Sequence, residues 1–306
     1  MNKLFISFSG GRTSAVMTKM LWEEYRDTDT EVKIMFANTG CEHEETLIFV
    51  HRCEEEFGWT VNWVEAVTDP RKGVGVSYRV VDFKSASRNG EPFESVVSKY
   101  GIFNMTSPAC TARLKTDVMR KFLMDQGYNF GKKLDHKTAI GIRADELDRI
   151  SARADEYGFI YPLARKGITK RDVALEIKKW PFDLGIPNDA YGNCVWCWKK
   201  THRKHLTLAV ESPSVFDFPK RMEDKYSHVN GDTAAGHEGK RYWFRKHKTV
   251  DDIMDEAKKM QFVPYVDDPY DHGIEFDDYY DLGSGCGESC EVGADMEQMY
   301  LSDFEE

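Results

Sequence analysis

Hydrophobic residues in the first 65 positions alternate between two patterns. Short apolar runs typical of buried strands are LFISF, VKIMFAN and WTVNWVEAV, which begin at Leu4, Val32 and Trp59. Between them, TSAVMTKMLWEEY and EHEETLIFVHRCEEEFG have apolar side chains at helical spacing, and the second helix is predicted to end at Gly58. Strands separated by helices predict parallel pairing with right-handed crossovers. We therefore expect an α/β fold with a twisted, mainly parallel sheet flanked by helices.

The same alternation continues less regularly in the rest of the chain. Helical spacing resumes in TARLKTDVMRKFLMDQG, HKTAIGI has the pattern of a strand, and TKRDVALEIKKW is a helix capped by Thr169 and stopped by Pro181. Residues 68–105 are rich in Gly, Ser, Lys and Arg without clear periodicity, and we interpret them as an insertion or lid. We predict an α/β domain over residues 1–210 and a C-terminal region with an acidic tail over residues 211–306.

Charge and composition narrow the class of protein. The formal net charge of −10 argues against a broadly basic nucleic-acid-binding surface, and no Lys or Arg follows Lys259. The acidic tail is either a solvated, partly disordered appendage or a segment that docks or mimics nucleic-acid charge. No stretch approaches the roughly 20 apolar residues of a membrane span. The N-terminus has the pattern of a strand rather than of a signal peptide, so we expect a cytoplasmic protein.

The first strand leads into a turn that is suited to bind phosphate. The turn and the start of the next helix are formed by Ser7, Phe8, Ser9, Gly10, Gly11, Arg12, Thr13 and Ser14. Two glycines let the backbone fold tightly and expose consecutive N–H groups, and the positive end of the helix dipole adds to their effect. An ordinary strand-to-helix turn has a similar composition, so this segment alone leaves both interpretations open.

Two further segments carry polar groups at the carboxyl ends of predicted strands. Asn38, Thr39 and Gly40 follow the second strand, at the usual ligand crevice of an open α/β sheet; the alternative is a simple turn and helix cap. GIRADELDR follows HKTAI, and the guanidinium groups of Arg143 and Arg149 are able to bind phosphate or sulfate with two parallel hydrogen bonds. The alternative for this segment is a surface helix start with an Asp145–Arg149 pair.

The cysteines form a possible metal site. Seven cysteines, an odd number in a chain of 306 residues, indicate thiols or metal ligands rather than a disulfide framework. Cys194 and Cys197 form a Cys-X-X-Cys pair at metal-ligand spacing. A Cys-X-X-Cys pair with two more thiolates suits tetrahedral Zn²⁺. Buried or free thiols without a metal are the remaining alternative.

Taken together, these segments resemble the phosphoadenylyl-sulfate (PAPS) reductase family of the PP-loop adenine nucleotide α-hydrolase superfamily. SFSGGRTSAVM resembles the PP-loop Ser-Gly-Gly-X-Asp-Ser, with Thr13 in place of the Asp. FANTGCEHEETL resembles the turn over the adenosine, and GIRADELDR resembles a family loop in which Ser is typical at Leu147. Cys110 to Lys115 resembles the Cys-Cys-X-X-X-Lys helix start, and NCVWC resembles the family's Cys-X-X-Cys.

The resemblance implies an α/β PP-loop domain that binds ATP or a PAPS-type nucleotide. The implied nucleotide-binding residues are Ser7, Ser9, Gly10, Gly11, Arg12, Thr13, Ser14, Asn38, Thr39, Gly40, Gly141 and Arg143. The implied catalytic residues are Arg12, Arg143 and Arg149, which would stabilise charge on the transferring group, and Cys286, which shares a Cys-Gly pair with the family's tail nucleophile. The missing Asp puts Mg²⁺-dependent cleavage of ATP in doubt.

Family members with iron–sulfur clusters hold a [4Fe–4S] group through four thiolates. Here Ala109 stands where the first cysteine belongs, so Cys110, Cys194 and Cys197 remain, with Cys286 or Cys290 as a possible fourth ligand and Zn²⁺ as the competing metal.

Three functions follow from the resemblance: a PAPS-reductase-like enzyme that reduces or transfers sulfur, an ATP-dependent thiolation or phosphorothioation enzyme with a cluster, and a non-catalytic phage-type binding protein. Expected partners are an adenine nucleotide, a protein thiol donor or nucleic-acid acceptor, and further copies of the chain.

Overall fold

Six strands form one sheet in the part of the chain that the structure, a computed structural model, describes: residues 2–71, 73–230 and 239–267. The strands are β1 (Lys3–Ser7), β2 (Glu31–Asn38), β3 (Val61–Thr68), β4 (Val76–Val81), β5 (His136–Ala139) and β6 (Phe159–Ile160). Their order is β4-β3-β2-β1-β5-β6, and every neighbouring pair is parallel except β3 with β4. The predicted α/β fold with a mainly parallel sheet is therefore confirmed.

Helices connect and cover these strands. They are α1 (Arg12–Tyr25), α2 (Glu44–Phe57), α3 (Glu91–Tyr100), α4 (Asp117–Asp125), α5 (Ala154–Tyr157), α6 (Pro162–Arg165), α7 (Lys170–Ile177), α8 (His202–Glu211), α9 (Asp217–Tyr226) and α10 (Val250–Lys259). A π-helical turn, Ala112–Thr116, leads into α4. Gly58 ends α2 in the left-handed conformation, and Thr169 and Asp172 form a capping box at the start of α7.

The central strands are buried over most of their length, as expected for parallel strands between layers of helices. Leu4, Phe5 and Ile6 of β1 are all at most 4% exposed, which explains the continuous apolar run in the sequence. Between β2 and β3, the rings of Phe36 and Trp63 meet edge to face at 4.9 Å. Burying each such large apolar side chain stabilises the fold by about 1.5–3 kcal/mol.

The region without clear periodicity contains two regular elements. Residues 68–105 include β4, which pairs antiparallel with the edge of β3, and α3, which packs against β3. Only Val76 of β4 is buried, so the strand lacks the apolar pattern that would have predicted it. The predicted boundary near residue 210 falls at the end of α8, which packs against α10, and the division at this point stays a prediction.

The chain order of the strands creates a crevice at one edge of the sheet. From β1 the chain builds β2, β3 and β4 on one side, and it later adds β5 and β6 on the other side. Ligands of open α/β sheets bind where this reversal separates the loops at the carboxyl ends of two strands. Here those loops follow β1 at residues 8–11 and β5 at residues 140–146.

Among the described residues, none of the helices is long and apolar enough to span a bilayer.

Candidate nucleotide and thiol site

The loop after β1 is held closely against α2. Gly10 has φ +80, and a Cβ at this position would lie 2.8 Å from Thr46 Cγ2. Ser14 accepts a hydrogen bond from Ser9 N at 3.2 Å, lies 2.9 Å from Ser9 Oγ and donates to Gly11 O at 3.0 Å. These contacts fix a tight turn directly before α1, whose N-terminus favours a bound anion. Ser7, the last residue of β1, is buried beneath this turn.

A buried arginine joins this loop to the loop after β5. Arg143 Nη1 donates to Thr13 Oγ1 at 3.0 Å, and Thr13 is 1% exposed. Arg143 Nε also donates to Asp145, and Glu146 Oε1 lies 3.4 Å from Arg143 Nη2 and accepts a hydrogen bond from Arg149. The structure thus brings the two loop arginines together around one carboxylate. Asp145 pairs with Arg143, and Arg149 pairs with Glu146, in place of the Asp145–Arg149 pair of the alternative interpretation.

The turn that presents Arg143 is short. Ile142 N donates to Ile140 O at 2.9 Å, so the backbone reverses around Gly141, which is buried. The structure therefore places Gly141 in a tight turn of the loop after β5, two residues before Arg143.

Arg12 contacts residues 183–184, and this contact was not predicted from the sequence. Its Nε and Nη2 donate to the two carboxylate oxygens of Asp183 at 2.7 and 3.2 Å, and Nη2 also donates to Leu184 O at 2.9 Å. This forked contact ties the segment after α7 to the start of α1. The predicted role of Arg12 in binding the transferring group stays a prediction.

Asn38 belongs to a buried polar network. Its Nδ2 donates to Glu65 Oε1 at 2.6 Å and to Ser87 O at 2.9 Å, and its Oδ1 accepts from Gly40 N at 3.1 Å. Arg79 pairs with Glu65, whose side chain is fully buried. Because its polar atoms bond to the protein, Asn38 acts here as a scaffold for the turn that follows β2. The pattern of residue types did not reveal Glu65, since β3 had the alternation of an ordinary strand.

Thr39 links this turn to the cysteines. Thr39 N and Oγ1 donate to the carboxylate of Glu42 at 3.0 and 2.8 Å, and Thr39 Oγ1 lies 3.4 Å from Cys194 Sγ. Lys115 Nζ lies 4.0 Å from Glu42 Oε1, and both side chains are buried. Glu42 also forms an isolated antiparallel bridge with Cys194. The turn that follows β2 and the Cys-X-X-Cys segment are therefore in direct contact.

Three of the predicted metal ligands surround one cavity, here called the thiol pocket. Its lining residues are Thr39, Phe93, Cys110, Thr111, Leu114, Lys115, Asn193, Cys194, Trp196, Cys197 and Trp198. All described cysteines are free thiols. Burial and the neighbouring Cys194 raise the pKa of Cys41, which lies just outside the pocket, well above its ordinary value. Its thiol is therefore protonated at neutral pH.

The thiol pocket offers three thiols to either of the two expected metal groups. Within residues 2–71, 73–230 and 239–267, no group of three or more His, Cys, Asp or Glu side chains is arranged to hold a metal ion, so the described geometry does not distinguish Zn²⁺ from a cluster. The three thiols of this cavity are donors of the type that binds iron–sulfur clusters. Ala109 supplies no fourth thiol, and Cys286 and Cys290 lie outside the described residues.

A buried histidine fixes the Cys-X-X-Cys segment. His205 Nε2 lies 2.9 Å from Cys197 O, and the carbonyl acceptor assigns the proton to this nitrogen. Burial, helped by nearby Lys200, His202 and Arg245, lowers the pKa of His205 to about 3. The neutral imidazole therefore persists at physiological pH and holds the backbone of the thiol pocket in place.

Comparisons with known proteins agree with this geometry. Residues 3–147 match the model of the phosphoadenosine phosphosulfate reductase domain. The chain is 30% identical over 292 residues to the uncharacterized nin region protein ORF290 of Escherichia phage lambda, and the match covers 94% of both chains. This protein belongs to the phosphoadenosine phosphosulfate reductase-like family.

Among solved structures, this member of the reductase-like family is similar to the U34-tRNA thiolase NcsA from Methanococcus maripaludis with its [4Fe-4S] cluster. The TM-score is 0.38 and the identity 16%, over 85% of this chain and 73% of that chain.

Proposed function

We propose that this chain is an adenine-nucleotide-dependent enzyme of sulfur chemistry, related in activity to the PAPS reductases. Nucleotide phosphates would bind between the carboxyl ends of β1 and β5, and sulfur would react beside the thiol pocket. The observation that carries this proposal is the 3.4 Å contact between Thr39 Oγ1 and Cys194 Sγ. It connects a predicted nucleotide-binding turn to a predicted sulfur-binding residue. We also propose that the protein is cytoplasmic and that it forms homo-oligomers.

The residues of the crevice provide positive potential for an anion. Backbone N–H groups of the turn at Gly10 and Gly11 and the N-terminus of α1 suit a phosphate. Arg143 adds a guanidinium that is already fixed by Thr13 and Asp145, so little reorganisation accompanies binding. Arg149 is held next to it through Glu146. This arrangement supports stabilisation of negative charge on a transferring phosphate or sulfate group.

The Thr13–Arg143 pair favours a reaction without Mg²⁺. The resembling ATP-cleaving enzymes carry an Asp that is associated with Mg²⁺ at the position of Thr13, whereas here a hydroxyl accepts a hydrogen bond from a cation. A guanidinium placed beside the loop takes over part of the charge neutralisation that a metal ion would supply. We therefore favour a phosphosulfate nucleotide over Mg²⁺-bound ATP as the substrate.

The thiol pocket supports the sulfur half of the proposal. Cys110, Cys194 and Cys197 would hold a [4Fe–4S] cluster, which when bound would supply an iron site for sulfur. Independently of the cluster, Thr39 and the backbone bridge to Glu42 position Cys194 beside the nucleotide turn. Cys286 keeps the nucleophilic role that the resemblance implies, and a protein thiol or a nucleic acid is the proposed sulfur partner.

Products of turnover test this function. The full chain would be incubated anaerobically with a dithiol and either the phosphosulfate nucleotide or ATP with Mg²⁺, and nucleotides and sulfite would be quantified. Reductive cleavage takes two electrons from two thiols, which become a disulfide, and releases sulfite and adenosine 3′,5′-bisphosphate. We expect these products from the phosphosulfate nucleotide.

The alternatives give different results. AMP formed from ATP only when an acceptor nucleic acid is present would transfer the assignment to the thiolation-type enzymes. Tight nucleotide binding without product from either substrate would leave a non-catalytic binding protein.

A further inference from the structure

Charge is divided unevenly along the chain. The 39 residues after Asp267 contain 13 of the chain's 52 Asp and Glu residues and none of its 42 Lys and Arg residues. Because the formal net charge of the whole chain is −10, the first 267 residues carry a net charge of +3. A weakly basic body is thus attached to a strongly acidic segment, residues 268–306.

Two stretches of sequence combine to form a basic face on this body. The basic face consists of Lys199, His202, Arg203, Lys204, Arg245, Lys246 and Lys248. The stretches meet because His202 Nε2 and Lys248 Nζ both contact Glu256 Oε2, at 3.1 and 2.6 Å. Glu256 and Asp252, which also interacts with Lys248, are two carboxylates among six Lys and Arg residues, so the face as a whole remains positive. It also adjoins the thiol pocket, since Lys199 Nζ lies 5.6 Å from the ring centre of Trp198.

The chain already runs across this face before the acidic segment begins. Arg203 donates from Nε to Val263 O at 2.9 Å and from Nη2 to Pro264 O at 3.1 Å. Lys204 Nζ lies 4.4 Å from the ring centre of Tyr265. These contacts fix residues 263–265 on the first turns of α8.

The last residue of this stretch contacts the loop that leads to the thiol pocket. Asp189 N donates to both carboxylate oxygens of Asp267, at 2.9 and 3.1 Å. The acidic segment therefore starts from a fixed point at the edge of the basic face.

We propose that the basic face is the docking surface for the chain's own acidic segment, residues 268–306. Docking would rest on many carboxylate pairs with Lys and Arg, each of them weak when exposed to solvent and screened by salt. The tether makes the contact intramolecular, which raises the effective concentration of the segment to about the millimolar range. An anionic macromolecule approaching the thiol pocket across this face would compete with the segment.

Carbodiimide cross-linking of the full-length chain tests the docking directly. This reagent joins a carboxylate and a lysine amine as an amide with loss of water, and mass spectrometry identifies the joined peptides. Reach alone does not favour the basic face, because 39 extended residues span up to about 130 Å. Lys132 and Lys133 are matched control amines. They are exposed and precede β5, so they lie at the amino ends of the parallel strands, away from the carboxyl ends that form the candidate site.

We expect the acidic segment to cross-link to the lysines of the basic face at least tenfold more often than to Lys132 and Lys133, and about 0.5 M salt to remove this preference. The double variant Lys204→Glu/Lys246→Glu should lose the preferred cross-links, whereas Lys132→Glu/Lys133→Glu should retain them.

Cross-links spread evenly over all lysines would overturn the proposal, as would a preference that survives charge reversal of the basic face. A mixture of isotope-labelled and unlabelled chains distinguishes docking within one chain from docking between two chains. Cross-links found mainly between differently labelled copies would replace intramolecular docking by an exchange between molecules, against the proposal.

Discussion

Arg143 donates a hydrogen bond from Nη1 to Thr13 Oγ1 at 3.0 Å and so joins the loops that follow β1 and β5. Both side chains are buried, and 130 positions separate them in the sequence. The contact places a fixed guanidinium next to the turn at Gly10 and Gly11. It accounts for the presence of Thr13 at a position where the resembling ATP-cleaving enzymes have a carboxylate.

Replacing this guanidinium should weaken nucleotide binding. Arg143→Gln removes a charge-assisted hydrogen bond, worth about 1.5–3 kcal/mol, so we expect the Kd for adenosine 3′,5′-bisphosphate to rise by roughly 10- to 100-fold. Isothermal titration would measure it, with exposed Arg171→Gln as the control that leaves Kd unchanged. A chelator should leave the Kd of the unmodified chain within about twofold. Unchanged affinity in Arg143→Gln would refute the assigned role.

The turn after β1 should not tolerate a side chain at Gly10. Gly10 and Gly127 have nearly equal positive φ angles, +80 and +82, but a Cβ at Gly127 meets no atom within 4 Å. Gly127→Ala therefore measures the backbone cost alone, about 1 kcal/mol. Gly10→Ala adds the collision with Thr46 on α2, so thermal denaturation should show a larger loss of stability. It should also abolish the stabilisation by nucleotide that Gly127→Ala retains. Equal behaviour of the two variants would contradict a tightly packed loop.

Stability should fall between mildly acidic and neutral pH because of Glu223. Its carboxylate accepts a hydrogen bond from Val250 N at 3.0 Å, and burial raises its pKa from 4.5 to about 7. Between these two values the folded state holds a proton that the unfolded state releases, so the free energy of unfolding decreases as pH rises. The contribution of this group is about 3 kcal/mol at most.

Urea denaturation of Glu223→Gln at pH 5 and pH 8 checks this assignment. The amide keeps an acceptor for Val250 N but does not ionise. The change in the free energy of unfolding from pH 5 to pH 8 should therefore be more favourable in Glu223→Gln than in the unmodified chain, by up to about 3 kcal/mol. Asp224→Asn, an exposed neighbour, is the control. The assignment fails if Glu223→Gln and Asp224→Asn show the same pH dependence.

The thiol pocket should bind iron only with its cysteines intact. After anaerobic purification we expect the unmodified chain to contain iron and sulfide and to absorb visible light. Cys194→Ser or Cys197→Ser should remove the iron, the sulfide and the absorbance. Cys53→Ala, in the core of α2, is the matched control that should keep the absorbance. Ala109→Cys, which restores the family's first cysteine, should raise the iron content. Colourless protein with stoichiometric zinc would contradict the cluster and assign the site to Zn²⁺ instead.

The alternation of apolar runs was sufficient to predict β1, α1, β2, α2 and β3, because each is long, regular and buried on the face that the pattern indicates. β4 was missed because an edge strand with one buried residue has no such pattern. Loop motifs correctly indicated that Arg143 lies at the sheet edge, but not its bond to Thr13. Such pairings depend on how distant loops meet in space.

Buried charges show the same limit. In the sequence, Glu42 is indistinguishable from a solvated acidic residue at a helix start, and Lys115 is notable only as the last residue of the Cys110 to Lys115 motif. In the fold they lie 4.0 Å apart inside the site. Neither local spacing nor composition distinguishes such residues from solvated ones, because their burial depends on segments that are distant in the sequence, such as Cys194, which lies 3.4 Å from the turn at Thr39.

The most direct test of a shared nucleotide and sulfur site is the rate at which iodoacetamide alkylates Cys194 in iron-free protein, measured by mass spectrometry with and without saturating adenosine 3′,5′-bisphosphate. Cys194 is partly accessible and lies 3.4 Å from Thr39 Oγ1, so a nucleotide seated on the turn after β2 should cover it. We expect at least a tenfold decrease in its rate, with no change for a small free thiol in the same solution. An unchanged Cys194 rate at a concentration where calorimetry shows saturation, or no saturation at all, would contradict the account.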